Sequence, residues 1–302
     1  MMKILVTGVL GQVGHALHNT LSNAHEIVAV DREQMDLCDV QAIRDAISSI
    51  RPSLIINPAA YTAVDQAESE SGLAYDINVT APRVIAEEAA KIGAGLIHFS
   101  TDYVYEGNQI TPYTETDAVN PLSMYGQTKL AGELAIQAVG LPHLILRTSW
   151  VYGAHGKNFL KTILRLSAER EQLSIVDDQW GAPTSSHSIA NAVQELINVW
   201  HQPDQQQSGV YHFTNAGSTS WFGFAKAILA TYESQARALG LPALKIKSQS
   251  ISAIKTVDYP TPAARPANSR MDNTKLQTTF GIALPPWEQG LQEVMQRIQH
   301  FD

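Results

Sequence analysis

KILVTGVLGQVG, residues 3–14, reads as a short apolar strand that runs into a glycine-rich turn. Apolar residues in an unbroken run, without polar alternation, predict a strand covered on both faces. Gly8, Gly11 and Gly14 follow at three-residue spacing, where backbone can approach a pyrophosphate without interference from a Cβ atom. From Gln12 onward the apolar residues Val13, Ala16, Leu17 and Leu21 recur at helical spacing, so the turn opens a helix whose first amides face an anion. Strand, turn and helix in this order predict dinucleotide binding at Gly8, Gly11 and Gly14.

The same rhythm continues outward. EIVAVD (Glu26 to Asp31), LIINPAA (Leu54 to Ala60), LIHFS (Leu96 to Ser100) and HLILRTSWVY (His143 to Tyr152) read as further strands. Helical patterns lie between them, at Val40 to Ile50, Ser71 to Lys91 and Ser123 to Ala138. Apolar strands separated by helices predict an α/β fold: a Rossmann-like, doubly wound parallel sheet with right-handed crossovers. After about residue 150 the rhythm loosens. Helical stretches near Phe159 to Arg170, His187 to Trp200, Trp221 to Leu239 and Trp287 to His300 are joined by polar and proline-containing segments, including Pro260, Pro262 and Pro266. The expected division is a dinucleotide-binding domain over 1–151, joined again by about 184–215, and a smaller C-terminal substrate-binding lobe over about 152–183 and 216–302. The glutamine-rich patch Gln202 to Gly209 reads as a solvated loop.

Composition narrows the function. The chain has 302 residues, 44% of them hydrophobic and 17% charged, which is the ordinary range for folded proteins. Its 21 Lys and Arg against 29 Asp and Glu give a net charge of -8, the wrong sign for a surface that coats nucleic acid. One cysteine, Cys38, excludes an internal disulfide and a cysteine-rich metal site, and suits a reducing compartment. No apolar run reaches membrane-spanning length and no signal-peptide core develops before Gly8, so no membrane association and a cytoplasmic location are expected. No H-E-x-x-H pair occurs among the ten histidines, and no metal site is expected. Gly156-Lys157 lacks the remainder of a Walker P-loop.

Asp31 ends the second strand, where a carboxylate accepts from an adenosine ribose hydroxyl. Arg32 beside it suits a 2′-phosphate, so NADH and NADPH both stay open. Tyr125 and Lys129 are four residues apart and share one helix face. A phenol of pKa about 10 is a poor acid-base catalyst at neutral pH, and a neighbouring ammonium favours its phenolate. STDYVY, from Ser100 to Tyr105, follows directly on a strand, at the carboxyl edge where open α/β sheets bind ligands. Ser100 and Thr101 are adjacent hydroxyls there, and strand alternation lets only one line the crevice well.

Seven segments together carry a resemblance: TGVLGQVG, NPAAYTAVDQAE, STDYVYEG, SMYGQTKLAGE, RTSWVYG, DDQWGAPT and RPANSRMDNTKL. They run almost end to end, and the chain resembles the extended short-chain dehydrogenase/reductase family, in particular its members that reduce a keto group on dTDP-linked sugars. The resemblance implies that Gly11, Gln12, Val13, Asp31, Asp36, Leu37, Ala60, Tyr61, Thr62, Phe99, Tyr125 and Lys129 contact the nicotinamide cofactor. It also implies that Thr101, Asp102 and Trp150 meet the sugar nucleotide, and that Thr101, Tyr125 and Lys129 form the catalytic triad. Arg265 and Arg270 are the candidates for the diphosphate, because guanidinium forks match phosphate geometry. Some members of the family pair through a metal held by glutamates. Here Ala16 and His187 stand at two of those places and only Glu288 is retained, which argues against a metal-bridged homodimer while leaving a homodimer open. Two other functions remain open at this point: a different nucleotide-sugar reductase or epimerase, and a non-catalytic regulatory subunit resembling that of methionine adenosyltransferase.

Overall fold

The structure, a computed structural model, describes residues 1–200, 207–239 and 242–298. Six parallel strands form its central sheet: β1 (Lys3–Thr7), β2 (Glu26–Val30), β3 (Leu54–Asn57), β4 (Gly95–Thr101), β5 (His143–Thr148) and β6 (Gly209–His212). Their order is β6-β5-β4-β3-β1-β2. The chain therefore leaves β1 for β2 on one side and returns for β3 on the other. Adjacent connections diverge at the ends of β1 and β3, which opens a crevice there, as in other doubly wound sheets.

Helices α1 (Gln12–Leu21), α2 (Val40–Ile50), α3 (Ala81–Ile92), α4 (Met124–Val139) and α5 (Ser186–Trp200) cover the sheet. Side-chain alternation in β1 divides them. Ile4 and Val6 point into a core shared with Leu17 and Leu21 of α1 and with Ile189, Val193 and Leu196 of α5. Leu5 points the other way, into a core with Ile43 of α2, Val84 and Ile85 of α3, and Ile136 of α4. Burying each such side chain contributes about 1.5–3 kcal/mol, so both faces hold the sheet in place. A third core gathers Leu160 and Ile163 from the helix Phe159–Glu169, Phe224 and Ile228 from Trp221–Leu239, and Leu291 and Val294 from Trp287–Met295. Residues 202–206 of the glutamine-rich patch and the expected helical end at 299–300 lie outside the described residues.

Two stretches depart from the sequence expectation. HLILRTSWVY is not one strand: it breaks after Thr148, and Val151–Tyr152 pairs separately with Thr184–Ser185. The break is at Trp150, whose φ of 48° takes the chain out of extended geometry. The helical pattern from Ser71 to Lys91 is likewise interrupted, by a π-helical turn over Asp76–Thr80. Pro82 has no N–H to give to the carbonyl four residues earlier, at Asn78, and this favours widening the helix there.

Candidate active site

The glycine turn is built for close approach. Gly8 adopts φ 59°, and its carbonyl accepts from Gly11 N–H at 2.9 Å. A Cβ on Gly14 would lie 2.2 Å from Gly8 O, so only glycine allows α1 to start this near the turn. No side chain caps α1 at Gly11, which leaves its first amides free for an anion. These features fit a dinucleotide. A groove of 590 Å³ runs from this turn along the sheet edge and is lined by Gly8, Gly11, Gln12, Val13, Gly14, Ala60, Thr62, Phe99, Tyr125 and Lys129, among others. A second hollow of 170 Å³ meets it at Gly8 and Ala60 and is lined by Asp31, Arg32, Asp36 and Leu37. One Asp31 oxygen accepts from Glu33 and Gln34 amides. Arg32 is largely exposed and lies 3.3 Å from Asp36. The Cys38 amide, with help from Arg32, holds the Asp36 carboxyl below its ordinary range against the opposing effect of burial. Tyr61 turns its hydroxyl away to Glu70 at 2.6 Å, while its backbone is fastened to the Asn78 side chain.

Ser123 caps α4 by accepting from Gly126 N–H, and so fixes the turn that carries Tyr125 and Lys129. Both are buried. Lys129 Nζ donates to Phe99 O at 2.6 Å and lies 3.2 Å from His98 Nε2, both on β4. Burial lowers Lys129 to about 8, with Glu133 one helical turn on acting in the opposite direction. Burial also raises the Tyr125 phenol above its ordinary value, opposed by a hydrogen bond with Thr101. The sequence expectation was that Lys129 draws the phenol down; with its ammonium turned to β4, burial dominates instead.

The neighbouring hydroxyls divide as alternation requires. Ser100 donates to Glu133, which holds Arg147 in a buried bidentate pair at 2.9 and 2.6 Å. Thr101 donates to Asp102 Oδ1 at 3.0 Å. Asp102 is buried, its carboxyl raised to about 6 by burial against the pull of the Ser269 and Thr101 hydroxyls. Its Oδ2 has no hydrogen-bond partner among the described residues. Trp150 stacks on Trp221 at 3.6 Å with rings 8° from parallel. Arg265 reaches Asp65 at 2.8 Å and the Tyr103 hydroxyl at 2.9 Å, and the Tyr103 ring meets Tyr125 edge-on. Arg270 bonds Asn268 Oδ1 and the Ile110 carbonyl.

Lys157 was missed as a site residue by sequence reading. It lines the groove with Gly156, giving the anionic ligand a local cation, and only its place beside glycine hinted at this. Ala16 and His187 line a separate cavity of 460 Å³ with His15, His155 and Arg297, while Glu288 lies in the first turn of Trp287–Met295. Among the described residues, no three His, Cys, Asp or Glu side chains gather as a metal-binding set, and no helix is long and apolar enough to cross a membrane.

The family model described as RmlD substrate binding domain matches residues 2–300. A dTDP-4-dehydrorhamnose reductase from Escherichia coli (strain K12) is 42% identical over 302 residues, covering 98% of both chains. A Burkholderia thailandensis protein of the same name is 43% identical over 289 residues and 95% of each chain. The crystal structure of a dTDP-4-dehydrorhamnose reductase from Bacillus anthracis in complex with NADP superposes with a TM-score of 0.89 at 34% identity, covering 98% of this chain and 99% of that one. With such likeness along nearly its whole length, the chain belongs to the RmlD family of dTDP-4-dehydrorhamnose reductases.

Proposed function

We infer that the protein reduces the 4-keto group of dTDP-4-dehydro-β-L-rhamnose to give dTDP-β-L-rhamnose, with NADPH or NADH as reductant, in dTDP-L-rhamnose biosynthesis. The observation that carries this reading is the meeting of Tyr125 and Lys129 with the Gly8 to Gly14 turn in one groove. The Bacillus anthracis relative, which binds NADP, supports the choice of cofactor. When bound, the reduced nicotinamide supplies hydride to the keto carbon.

The remaining chemistry belongs to the chain. With its pKa raised by burial, Tyr125 is a protonated phenol at neutral pH, the form that gives a proton to a developing alkoxide. Thr101 donates a hydrogen bond to the same oxygen, and Lys129, titrating near 8, steadies the phenolate left behind. Asp102 presents its unpartnered oxygen to a sugar hydroxyl, with Trp150 as the flat wall beside it. Gly8, Gly11, Gln12, Val13 and Gly14 hold the pyrophosphate together with Lys157, while Asp31 and Arg32 meet the adenosine ribose. Arg265 and Arg270 serve the substrate diphosphate, Arg265 by exchanging Asp65 for phosphate oxygens. In this reading residues 1–151 and about 184–215 carry the cofactor and the rest of the chain carries the sugar nucleotide. A cytoplasmic location and a homodimer without a bridging metal complete it; sedimentation of the pure protein tests the latter.

Tyr125→Phe keeps the ring packing and removes the proton donor. It is expected to lower kcat at least ~10²-fold with cofactor affinity largely kept. Near-normal turnover in that variant removes Tyr125 from the mechanism.

A further inference from the structure

A chain of buried polar groups approaches Lys129 from the sheet, and the mechanism above leaves it unused. At the end of β1, Thr7 Oγ1 donates to Asn57 Oδ1 at 2.6 Å and accepts from Ala59 N–H at 3.3 Å. Asn57 Nδ2 lies 3.1 Å from His98 Nδ1, and His98 Nε2 lies 3.2 Å from Lys129 Nζ. Thr7, Asn57, His98 and Lys129 are each exposed by 1% or less. At that depth a donor without an acceptor is costly, so counting protons gives the favoured sense of the chain.

Thr7 has one hydroxyl proton and gives it to Asn57 Oδ1, which turns the Asn57 amine toward His98. A neutral imidazole that accepts at Nδ1 carries its proton on Nε2, here aimed at Lys129. An ammonium has no lone pair to receive that proton, whereas an amine has one. The Phe99 carbonyl accepts from Lys129 in either form.

We propose that His98 is a positioning residue for Lys129, donating Nε2–H to the Lys129 amine and reversing its tautomer when Lys129 takes up a proton. This rests on the reading of Lys129 as the partner of Tyr125 in keto reduction. The reversal takes up one proton overall. Lys129 becomes an ammonium that donates to Nε2, the imidazole stays neutral with its proton on Nδ1, and the Asn57 amide turns over so that Oδ1 accepts from Nδ1 and Nδ2 donates to Thr7 Oγ1, at the cost of the acceptor of the Thr7 hydroxyl. Burial and the nearby Lys129 keep His98 far below its ordinary pKa, so the imidazole remains neutral in both arrangements. The other ionisable group acting on Lys129 is Glu133 of its own helix, which is occupied by Arg147 of β5. The charge that Lys129 offers the phenolate is thereby linked to the ends of β1 and β3, where the glycine turn begins.

Nitrogen NMR of the full chain with ¹⁵N-labelled histidine, recorded from about pH 6.5 to about pH 9.5, tests this without any need for turnover. His98, assigned through contacts of its ring with Lys129, is expected as the Nε2–H tautomer at the upper end and Nδ1–H at the lower, with its midpoint near the Lys129 titration at about 8. A single tautomer across the range overturns the proposal. In a second arm, folded Asn57→Asp offers only acceptors to His98. It is expected to hold the Nδ1–H tautomer throughout and to move the Lys129 limb of the kcat/KM profile to higher pH by about one unit; an unmoved limb overturns the proposal. A tautomer switch in a protein that fails to reduce the keto sugar loses the proposed function alone, and reduction without a switch loses this inference alone.

Discussion

Asp102 weakens the fold in its charged state. Burial raises its carboxyl from 3.8 to about 6, so the native chain binds this proton more tightly than the unfolded chain does. Stability from this group therefore increases as pH falls from about 6 toward 3.8, and above about 6 the full penalty of roughly 3 kcal/mol applies. Asp102→Asn removes the charge, and thermal unfolding is expected to give a higher Tm than the parent at about pH 8, with the gap closing toward about pH 4. A gap that does not change with pH contradicts the assignment. The same variant is expected to lose kcat/KM for the sugar, the usual exchange between stability and function in a site. Gly14→Ala acts oppositely. Its Cβ would lie 2.2 Å from Gly8 O, backbone that cannot swing aside. Titration by nicotinamide fluorescence should find cofactor binding lost, and preserved affinity would take α1 out of the site. At this scale the glycine spacing marked the turn, while the Tyr125 and Lys129 interval stood out only through the resemblance carried by the longer segments. His98 and Asn57 were not legible as partners of Lys129, because their contacts join residues 41 and 31 positions apart and no local spacing encodes them.

Among the elements, unbroken apolar runs marked all but one of the strands of the sheet, since a strand buried on both faces has no polar alternation. The exception is β6, which follows the glutamine-rich patch and offers only Val210 and Tyr211 as apolar residues. Trp150 and Asn78 explain the two misread stretches: a left-handed residue and a π turn both change the path of the chain without changing the hydrophobic pattern that periodicity reads. The π turn brings the Asn78 amine within 3.1 Å of the Thr128 hydroxyl and its carbonyl against Gly132, so it bears directly on α4. Gly132→Ala separates two effects of opposite sign. Helix propensity alone favours alanine by about 1 kcal/mol. Against that, the new Cβ would lie 2.1 Å from Asn78 O and force α4 off α3, a strain of about 1–3 kcal/mol or more. Overpacking is expected to win, giving a lower urea midpoint and a lower kcat together. An unchanged or higher midpoint would mean that the π turn yields freely.

Over the whole molecule, the segment around Arg265 ties the C-terminal part of the chain to the residues that follow β3 and β4. Arg265 joins Asp65 and Tyr103, and Ala263 N–H donates to Asp65 at 3.2 Å. The ion pair is partly exposed, so Arg265→Ala is expected to cost less than about 1 kcal/mol of stability. Its larger effect belongs to the sugar nucleotide: Arg265→Ala with Arg270→Ala should chiefly raise KM for the substrate and leave cofactor affinity nearly unchanged. A fall in kcat at constant KM would assign these residues to holding Tyr103 and Tyr125 instead. The net charge of -8 makes such local cations matter, because two anionic ligands must enter a chain that repels them on average. What composition left open, the identity of the sugar, is a property of pocket shape and is invisible to periodicity. The most direct measurement is therefore turnover by the purified protein alone, given dTDP-4-dehydro-L-rhamnose with NADPH or NADH, followed by absorbance and with the product identified by NMR. Oxidation of one or both cofactors with formation of dTDP-L-rhamnose is the expected result; no oxidation of either, with a methionine adenosyltransferase tightly co-purifying, would contradict the account in favour of a regulatory subunit.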